Sequence, residues 1–148
     1  MKKIIKYFKE EFGIEEEVFK DYEFYEYKNS IYLMTKEAKD FNFEKGIIRK
    51  GIRIARLVRN GIKPTIDGIQ IFGRYAKKNI IYLTEEDLKK VLLGQDLHLE
   101  LDIPNGYKIL FYKNYPIGVG YYRNKKLKNQ IPRSRRINLT DISIYLKK

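Results

Sequence analysis

The chain has no cysteine and no tryptophan, and it has one histidine among its 148 residues. Without cysteine it can form no disulfide, no thiolate nucleophile and no cysteine-based zinc site. His98 alone does not make a usual zinc site, and the alternation in LHLEL makes it a structural strand residue. Gly118-Val119-Gly120 lacks the third glycine and the following helix of a dinucleotide-binding loop. We therefore predict no catalytic residue, no metal site and no cofactor.

Long apolar runs are also absent. No stretch approaches the roughly 20 apolar residues that span a bilayer. The start, MKKIIKYFKEEFG, has an apolar stretch too short for a signal peptide, and charges interrupt it. We therefore expect a cytoplasmic protein without a membrane partner.

Acidic residues are scarce in two blocks of the chain, and all of the chain's net positive charge comes from these two blocks. Residues 49–80 carry nine basic and one acidic side chain, and residues 106–148 carry eleven basic and one acidic. The formal net charge of +12 suits a polyanionic partner, either nucleic acid or an acidic membrane surface. The other interpretation is a solvated basic surface, and the two blocks form one patch only if the fold brings them together.

The segment 106–136 is the most informative part of the sequence. It holds nine Lys or Arg residues, six aromatic residues and no acid. Cationic side chains attract phosphates, and flat aromatic rings stack on unpaired bases. The segment therefore favours RNA, and because no helix-turn-helix or basic-region pattern is present, RNA is favoured over duplex DNA. An ordinary basic β-hairpin with its tyrosines in the core is the alternative.

Periodicity predicts an α+β fold with short helices and a mixed, mostly antiparallel, partly closed sheet. Helices are predicted at 2–12, 15–21, 66–76 and 85–93, the last two capped by Thr65 and Thr84. Strands are predicted at 23–27, 30–34, 52–59, 79–83, 97–101, 107–113, 117–123 and 137–146. The run IRIARLVR alternates as a strand does, but a helix remains open because Arg49, Arg53 and Arg56 would also share a helical face.

A spaced set of residues near the C-terminus resembles a known family. Pro116, Gly118, Gly120, Arg123-Asn124, Leu127-Lys128-Asn129, Pro132 and the Arg133–Arg136 cluster resemble the PUA-like domain at the C-terminus of RNA 5-methylcytosine methyltransferases. PUA stands for pseudouridine synthase and archaeosine transglycosylase. The segment FGIEEEVFKDYEFYEYKNSIYLMTKEA is similar to the part that precedes this domain, and GIRIARLVRNGIKPT fits a PUA-like strand and turn.

The resemblance implies a PUA-like pseudo-barrel at 49–148 behind an N-terminal α/β extension at 1–48, and binding to tRNA or rRNA. The sequence departs from the family at the turn, which is often Asn-Gly and is here Asn124-Lys125. The family's chemistry uses a cysteine that attacks the pyrimidine ring, and this chain has none. We therefore expect a non-catalytic RNA-binding protein that assists a separate methyltransferase. The alternative is an assembly subunit of an RNA-modification or ribosome-biogenesis complex, with its basic face on an acidic protein.

The candidate RNA-binding residues fall into three kinds. The expected phosphate contacts are the cationic residues Arg53, Arg56, Arg59, Lys63, Arg123, Lys125, Lys126, Lys128, Arg133, Arg135 and Arg136. Tyr115 and Tyr122 are candidates for base stacking, with a place in the core as the alternative for either of them, and the core is the stronger expectation for Tyr121 and Phe111. Gly118 and Gly120 are expected to line a smooth groove where the RNA backbone comes close.

Overall fold

A computed structural model describes residues 2–35 and 51–131, and the chain divides into two compact units, Met1–Lys78 and Asn79–Lys148. The first unit contains α1 (Lys2–Phe12), a 3-10 helix (Glu16–Phe19), β1 (Tyr22–Tyr27), β2 (Ser30–Thr35), β3 (Ile52–Val58), β4 (Gly61–Pro64), α2 (Ile66–Phe72) and a 3-10 turn (Gly73–Tyr75). The second contains β5 (Ile80–Tyr82), α3 (Glu85–Leu92), β6 (Leu97–His98), β7 (Gly106–Tyr112), β8 (Tyr115–Arg123) and β9 (Lys126–Asn129).

The core of the first unit is a cluster of phenylalanines. Helix α1 contributes Phe8 and Phe12 from its apolar stripe, and Gly13, at φ 68°, ends the helix. The Phe19 ring stacks on Phe8 at 5.7 Å and packs against Phe72 of α2 at 4.8 Å between centroids. Each of these rings is almost completely buried, so the helices are held to the sheet by apolar burial.

Four antiparallel strands form the sheet of the first unit in the order β1-β2-β3-β4. Lys28 and Asn29, at φ 47° and 61°, make the two-residue turn between β1 and β2, as a type I′ hairpin requires. Residues 52–58 are a strand rather than a helix, as the alternation predicts. The Thr65 hydroxyl caps α2 by accepting from the Gly68 N–H at 3.0 Å.

The second unit has a five-stranded mixed sheet in the order β5-β7-β8-β9-β6. Strand β5 runs parallel to β7, and the other neighbours are antiparallel. The Thr84 hydroxyl caps α3 by accepting from the Asp87 N–H at 3.1 Å. The predicted fold class is confirmed: α+β with short helices and two mostly antiparallel sheets, one of which curls like half a barrel.

Several predicted elements differ in length from those observed. The strand predicted at 97–101 contains only Leu97–His98, because the Leu99 carbonyl and the Leu101 N–H bond to the Tyr122 hydroxyl instead of to a neighbouring strand. The helix predicted at 66–76 ends at Phe72 and tightens into a 3-10 turn. The helix predicted at 15–21 is a single 3-10 turn.

Two predictions concern residues outside the described ranges. The strand predicted at 137–146 lies outside these ranges, and so does the predicted domain boundary between residues 48 and 49. Both therefore stay predictions. Within 2–35 and 51–131, no helix is long and apolar enough to cross a membrane.

Candidate nucleic-acid interface

One face of the second sheet gathers tyrosines and cations at the end of β8. Side chains alternate along β8, so Tyr121 and Arg123 project to the same side. Directly opposite Tyr121 lie Tyr107 of β7 and Lys128 of β9, and opposite Arg123 lies Lys126. We name these five residues, Tyr107, Tyr121, Arg123, Lys126 and Lys128, the Tyr121 face. Backbone pairing across three strands fixes their relative positions.

The two tyrosines of this face form an edge-to-face pair. The ring centroids of Tyr107 and Tyr121 are 4.9 Å apart, and the ring planes meet at 80°. Both side chains are half-buried. Burial, and then the neighbouring Tyr121, raises the pKa of Tyr107, so its phenol is neutral at physiological pH. A partly exposed aromatic pair on a rigid sheet is a suitable platform for a base.

The cations around this pair differ in how they are engaged. Arg123 and Lys128 are exposed, and neither side chain has an ion pair or hydrogen bond within the described part of the chain. Lys126 pairs with Asp96 at 3.6 Å, and Lys125 in the adjoining turn pairs with Glu100 at 3.9 Å. These side chains are all more than a third exposed, so the pairs are weak and can be exchanged for phosphate contacts.

Tyr122 is a core residue, and its predicted role in base stacking is wrong. Its side chain is 3% exposed. The hydroxyl donates to the Leu99 carbonyl at 2.8 Å and accepts from the Leu101 N–H at 3.0 Å. Tyr122 therefore ties down the chain segment before β7 and has no ring face free for a base.

Tyr115, the other stacking candidate, is 70% exposed. It begins β8, whereas Arg123 ends it. They are eight residue steps apart along the extended strand, which corresponds to about 27 Å. Tyr115 is therefore accessible but does not belong to the Tyr121 face.

The two glycines of β8 do not line an open groove, and this prediction is also wrong. Gly118 and Gly120 are both buried. A Cβ on Gly120 would lie 2.6 Å from Cδ1 of Leu127, which is itself 1% exposed. Gly120 is therefore required for close packing of β8 on β9, and no ligand backbone can approach it.

The basic block of the first unit is organised by a β-bulge. Ala55 pairs with Ile31 and Arg53 pairs with Tyr32, so Ile54 is an extra residue in β3. Simple alternation would put Arg53 and Arg56 on opposite faces, but the bulge puts both on one face. Arg56 also pairs with Lys63 of β4. We name Tyr32, Arg53, Arg56 and Lys63 the bulge face; Arg59 is exposed in the turn after β3.

Arg133, Arg135 and Arg136 lie outside the described residues. The sequence does not distinguish Tyr107 from the other aromatic residues of its segment, and it predicts Tyr121 in the core. The two-residue turn at Lys113-Asn114 would by itself pair Tyr107 with Gly120. A register shift that makes Ile117 an extra residue in β8 brings Tyr107 opposite Tyr121, so the turn alone does not predict that these two tyrosines are neighbours. Among residues 2–35 and 51–131, no group of His, Asp or Glu could hold a metal ion.

These observations define a class of domain: a small α+β unit whose curled, mostly antiparallel sheet exposes tyrosines among cations. Comparison with known families agrees, since residues 78–137 match the family described as the methyltransferase RsmF PUA domain. This match confirms the resemblance to the PUA-like domain of RNA methyltransferases that the sequence predicts.

The curated relatives carry the name ribosomal RNA small subunit methyltransferase F. The protein of Photobacterium profundum is 28% identical over 96 residues, which is 64% of this chain and 20% of that protein. The protein of Shewanella woodyi is 31% identical over 128 residues, which is 86% of this chain and 26% of that protein. This chain therefore spans about a fifth to a quarter of the length of these relatives. A match of 128 residues also extends well into the first unit.

Proposed function

We propose that this chain is a non-catalytic RNA-binding protein that recognises structured rRNA or tRNA through the Tyr121 face. The observation that carries the proposal is the edge-to-face Tyr107–Tyr121 pair, half-exposed between two cations, Arg123 and Lys128, that no described residue neutralises. Cations of this kind attract phosphates, and an exposed ring offers a face to an unpaired base. The relatives' printed name supports ribosomal RNA of the small subunit as the first RNA to test.

The same comparisons support a role in RNA modification. The family match covers a PUA domain, and the relatives are methyltransferases of which this chain spans a small part. The chain contains no cysteine to attack a pyrimidine ring. We propose that it presents RNA to a separately encoded methyltransferase, and that both act in the cytoplasm.

Removing the two unpaired cations should weaken RNA binding. We expect Arg123→Ala/Lys128→Ala to lower the affinity of the full chain for a fluorescein-labelled small-subunit rRNA hairpin about 25- to 60-fold at 0.1 M salt. Each phosphate contact that is lost lowers the logarithm of the binding constant by roughly 0.7–0.9 for every decade by which the salt concentration lies below 1 M. Fluorescence anisotropy titrations measure the change.

The matched control is Lys89→Ala/Lys90→Ala, which removes the same charge from exposed positions of α3. We expect its affinity to stay within about threefold of the wild type, because acidic side chains occupy the first turn of that helix. Equal losses in both double variants would contradict a defined face. Absence of RNA binding, together with salt-sensitive binding to an acidic protein, would favour the assembly-subunit alternative.

The aromatic part of the site needs its own variant. Tyr121→Leu keeps an apolar side chain in the half-buried position but removes the ring. We expect at least a fivefold loss of affinity for the rRNA hairpin, since base–aromatic stacking contributes about 1–3 kcal/mol. An unchanged affinity in a normally folded Tyr121→Leu variant would show that no base stacks on this tyrosine.

A further inference from the structure

The bulge face lies outside residues 78–137, the part of the chain that matches the PUA family. It contains Arg53 and Arg56 of β3, Lys63 of β4 and Tyr32 of β2. Arg53 lies directly opposite Tyr32, whose ring stacks on Tyr25 with centroids 5.2 Å apart and planes at 15°. This sheet therefore repeats, in an independent unit, the combination of rings and cations seen on the Tyr121 face.

The bulge that creates this face is held by specific contacts. The Thr65 hydroxyl donates to the Arg53 carbonyl at 2.7 Å, and the Thr65 N–H donates to the Ile54 carbonyl at 3.0 Å. The first turn of α2 approaches so closely that a Cβ on Gly68 would lie 2.4 Å from the Ile54 oxygen. The helix cap therefore satisfies the backbone groups that the extra residue takes out of the ladder. Bulges built in this way are used to re-aim side chains at functional sites.

The two arginines of the bulge face are available to a ligand. Arg53 and Arg56 are exposed, and neither has an ion pair or hydrogen bond from its side chain within the described residues. Their partners Tyr32 and Ser30 are two residues apart on β2, so the two arginines are separated by about 7 Å along the sheet. This separation is comparable with that of neighbouring phosphates in an extended strand. Among the described strand residues, the register places one acid on this face, Glu23, on the distant strand β1.

We propose that the bulge face is a second RNA contact and that it binds a single-stranded segment. Arg53 and Arg56 hold successive phosphates, and Lys63 adds a third positive charge beside Arg56. The half-buried Tyr32 ring receives a base on the face that Tyr25 does not cover. Guanidinium groups suit this task because their planar donors match phosphate oxygens in pairs. The inference rests on the proposed RNA-binding function but concerns different residues in a different unit.

The test uses the full chain and a fluorescein-labelled, unstructured 20-nucleotide oligouridylate. We expect Arg53→Ala/Arg56→Ala to lower affinity about 25-fold at 0.1 M salt and to reduce the slope of log K against log salt by about 1.4, because two contacts of roughly 0.7 each are lost. The matched control, Lys3→Ala/Lys6→Ala, removes the same charge from exposed positions of α1 in the same unit. We expect it to change affinity less than threefold.

Further measurements distinguish a loss of charge from a loss of folding, and binding by the bulge face from binding by the second unit. Arg53→Lys/Arg56→Lys should recover affinity to within about fivefold of the wild type, and cross-linking with 4-thiouridine-substituted oligomer should label the peptide that contains Tyr32. A loss in Arg53→Ala/Arg56→Ala no larger than in its control, or cross-links confined to residues 79–131, would overturn the inference. If Arg123→Ala/Lys128→Ala still weakens rRNA binding in that case, the proposed function stands without the second contact.

Discussion

At the scale of single residues, two neighbouring tyrosines of β8 have opposite environments. Tyr121 is half-exposed beside Tyr107, whereas Tyr122 is 3% exposed and bonded to the backbone before β7. The sequence could not show which one faces outward, because apolar residues on both faces of β8 are buried: Val119 on the Tyr121 side and Leu127, opposite Tyr122, on the other. In a strand with both faces partly covered, alternation shows that two neighbours differ but not which of them is inside.

Gly120 gives a prediction at this scale. We expect Gly120→Ala to lower the free energy of unfolding by about 1–3 kcal/mol, because the added Cβ would lie 2.6 Å from Cδ1 of the buried Leu127. Urea denaturation measures the change. The same substitution made in a Leu127→Ala background should cost less than about 0.5 kcal/mol, since the clash is gone. An equal cost in both backgrounds would mean that something other than Leu127 excludes a side chain at this position.

At the scale of elements, periodicity and capping residues predicted most of the described helices and strands. Helix α1, the hairpin around Lys28-Asn29 and the capped starts of α2 and α3 lie where the sequence places them. The bulge at Ile54 was not predicted, because it depends on contacts with Thr65 and Gly68 of the following helix. Local patterns give the type of an element, and distant contacts decide its irregularities.

The turn between β8 and β9 gives a prediction at this scale. Asn124 and Lys125 have φ angles of 51° and 65°, which suit Asn-Gly better than Asn-Lys. We expect Lys125→Gly to raise the free energy of unfolding by about 0.5 kcal/mol. Relief of left-handed strain, about 1–2 kcal/mol, should exceed the extra flexibility that glycine gives the unfolded chain, about 0.4–1 kcal/mol.

The control for this turn is Lys126→Gly at the next position, which lies in β9. There glycine has no strain to relieve and should lower the free energy of unfolding by about 0.5–1 kcal/mol. Thermal melts of the two variants at equal protein concentration make the comparison. A loss of stability in Lys125→Gly would show that its lysine side chain contributes more than the strained backbone costs.

At the scale of the whole molecule, a net charge of +12 attracts any polyanion, so affinity for RNA does not by itself demonstrate a site. The fold divides the basic side chains into those paired with acids, such as Lys9 with Glu16 and Lys77 with Glu15, and those that are unpaired on a sheet face. The sequence could locate the two basic blocks but could not make this division, because it depends on strand register and on which acids lie within reach.

Four double variants of equal net charge test whether position or charge governs binding. Arg53→Ala/Arg56→Ala, Arg123→Ala/Lys128→Ala, Lys3→Ala/Lys6→Ala and Lys89→Ala/Lys90→Ala each remove two positive charges, from +12 to +10. We expect all four to elute at similar salt from a cation-exchange column, since the column responds mainly to overall charge. In titrations, Arg123→Ala/Lys128→Ala should show a large loss of affinity for the rRNA hairpin, and Arg53→Ala/Arg56→Ala should show one for the oligouridylate. The two lysine variants should show no large loss with either RNA. Because a counterion is released at each phosphate contact, only the two variants on the proposed faces should also flatten the salt dependence. Four equal losses with four equal slopes would mean that the chain binds RNA as a diffuse polycation, and both proposed faces would be withdrawn.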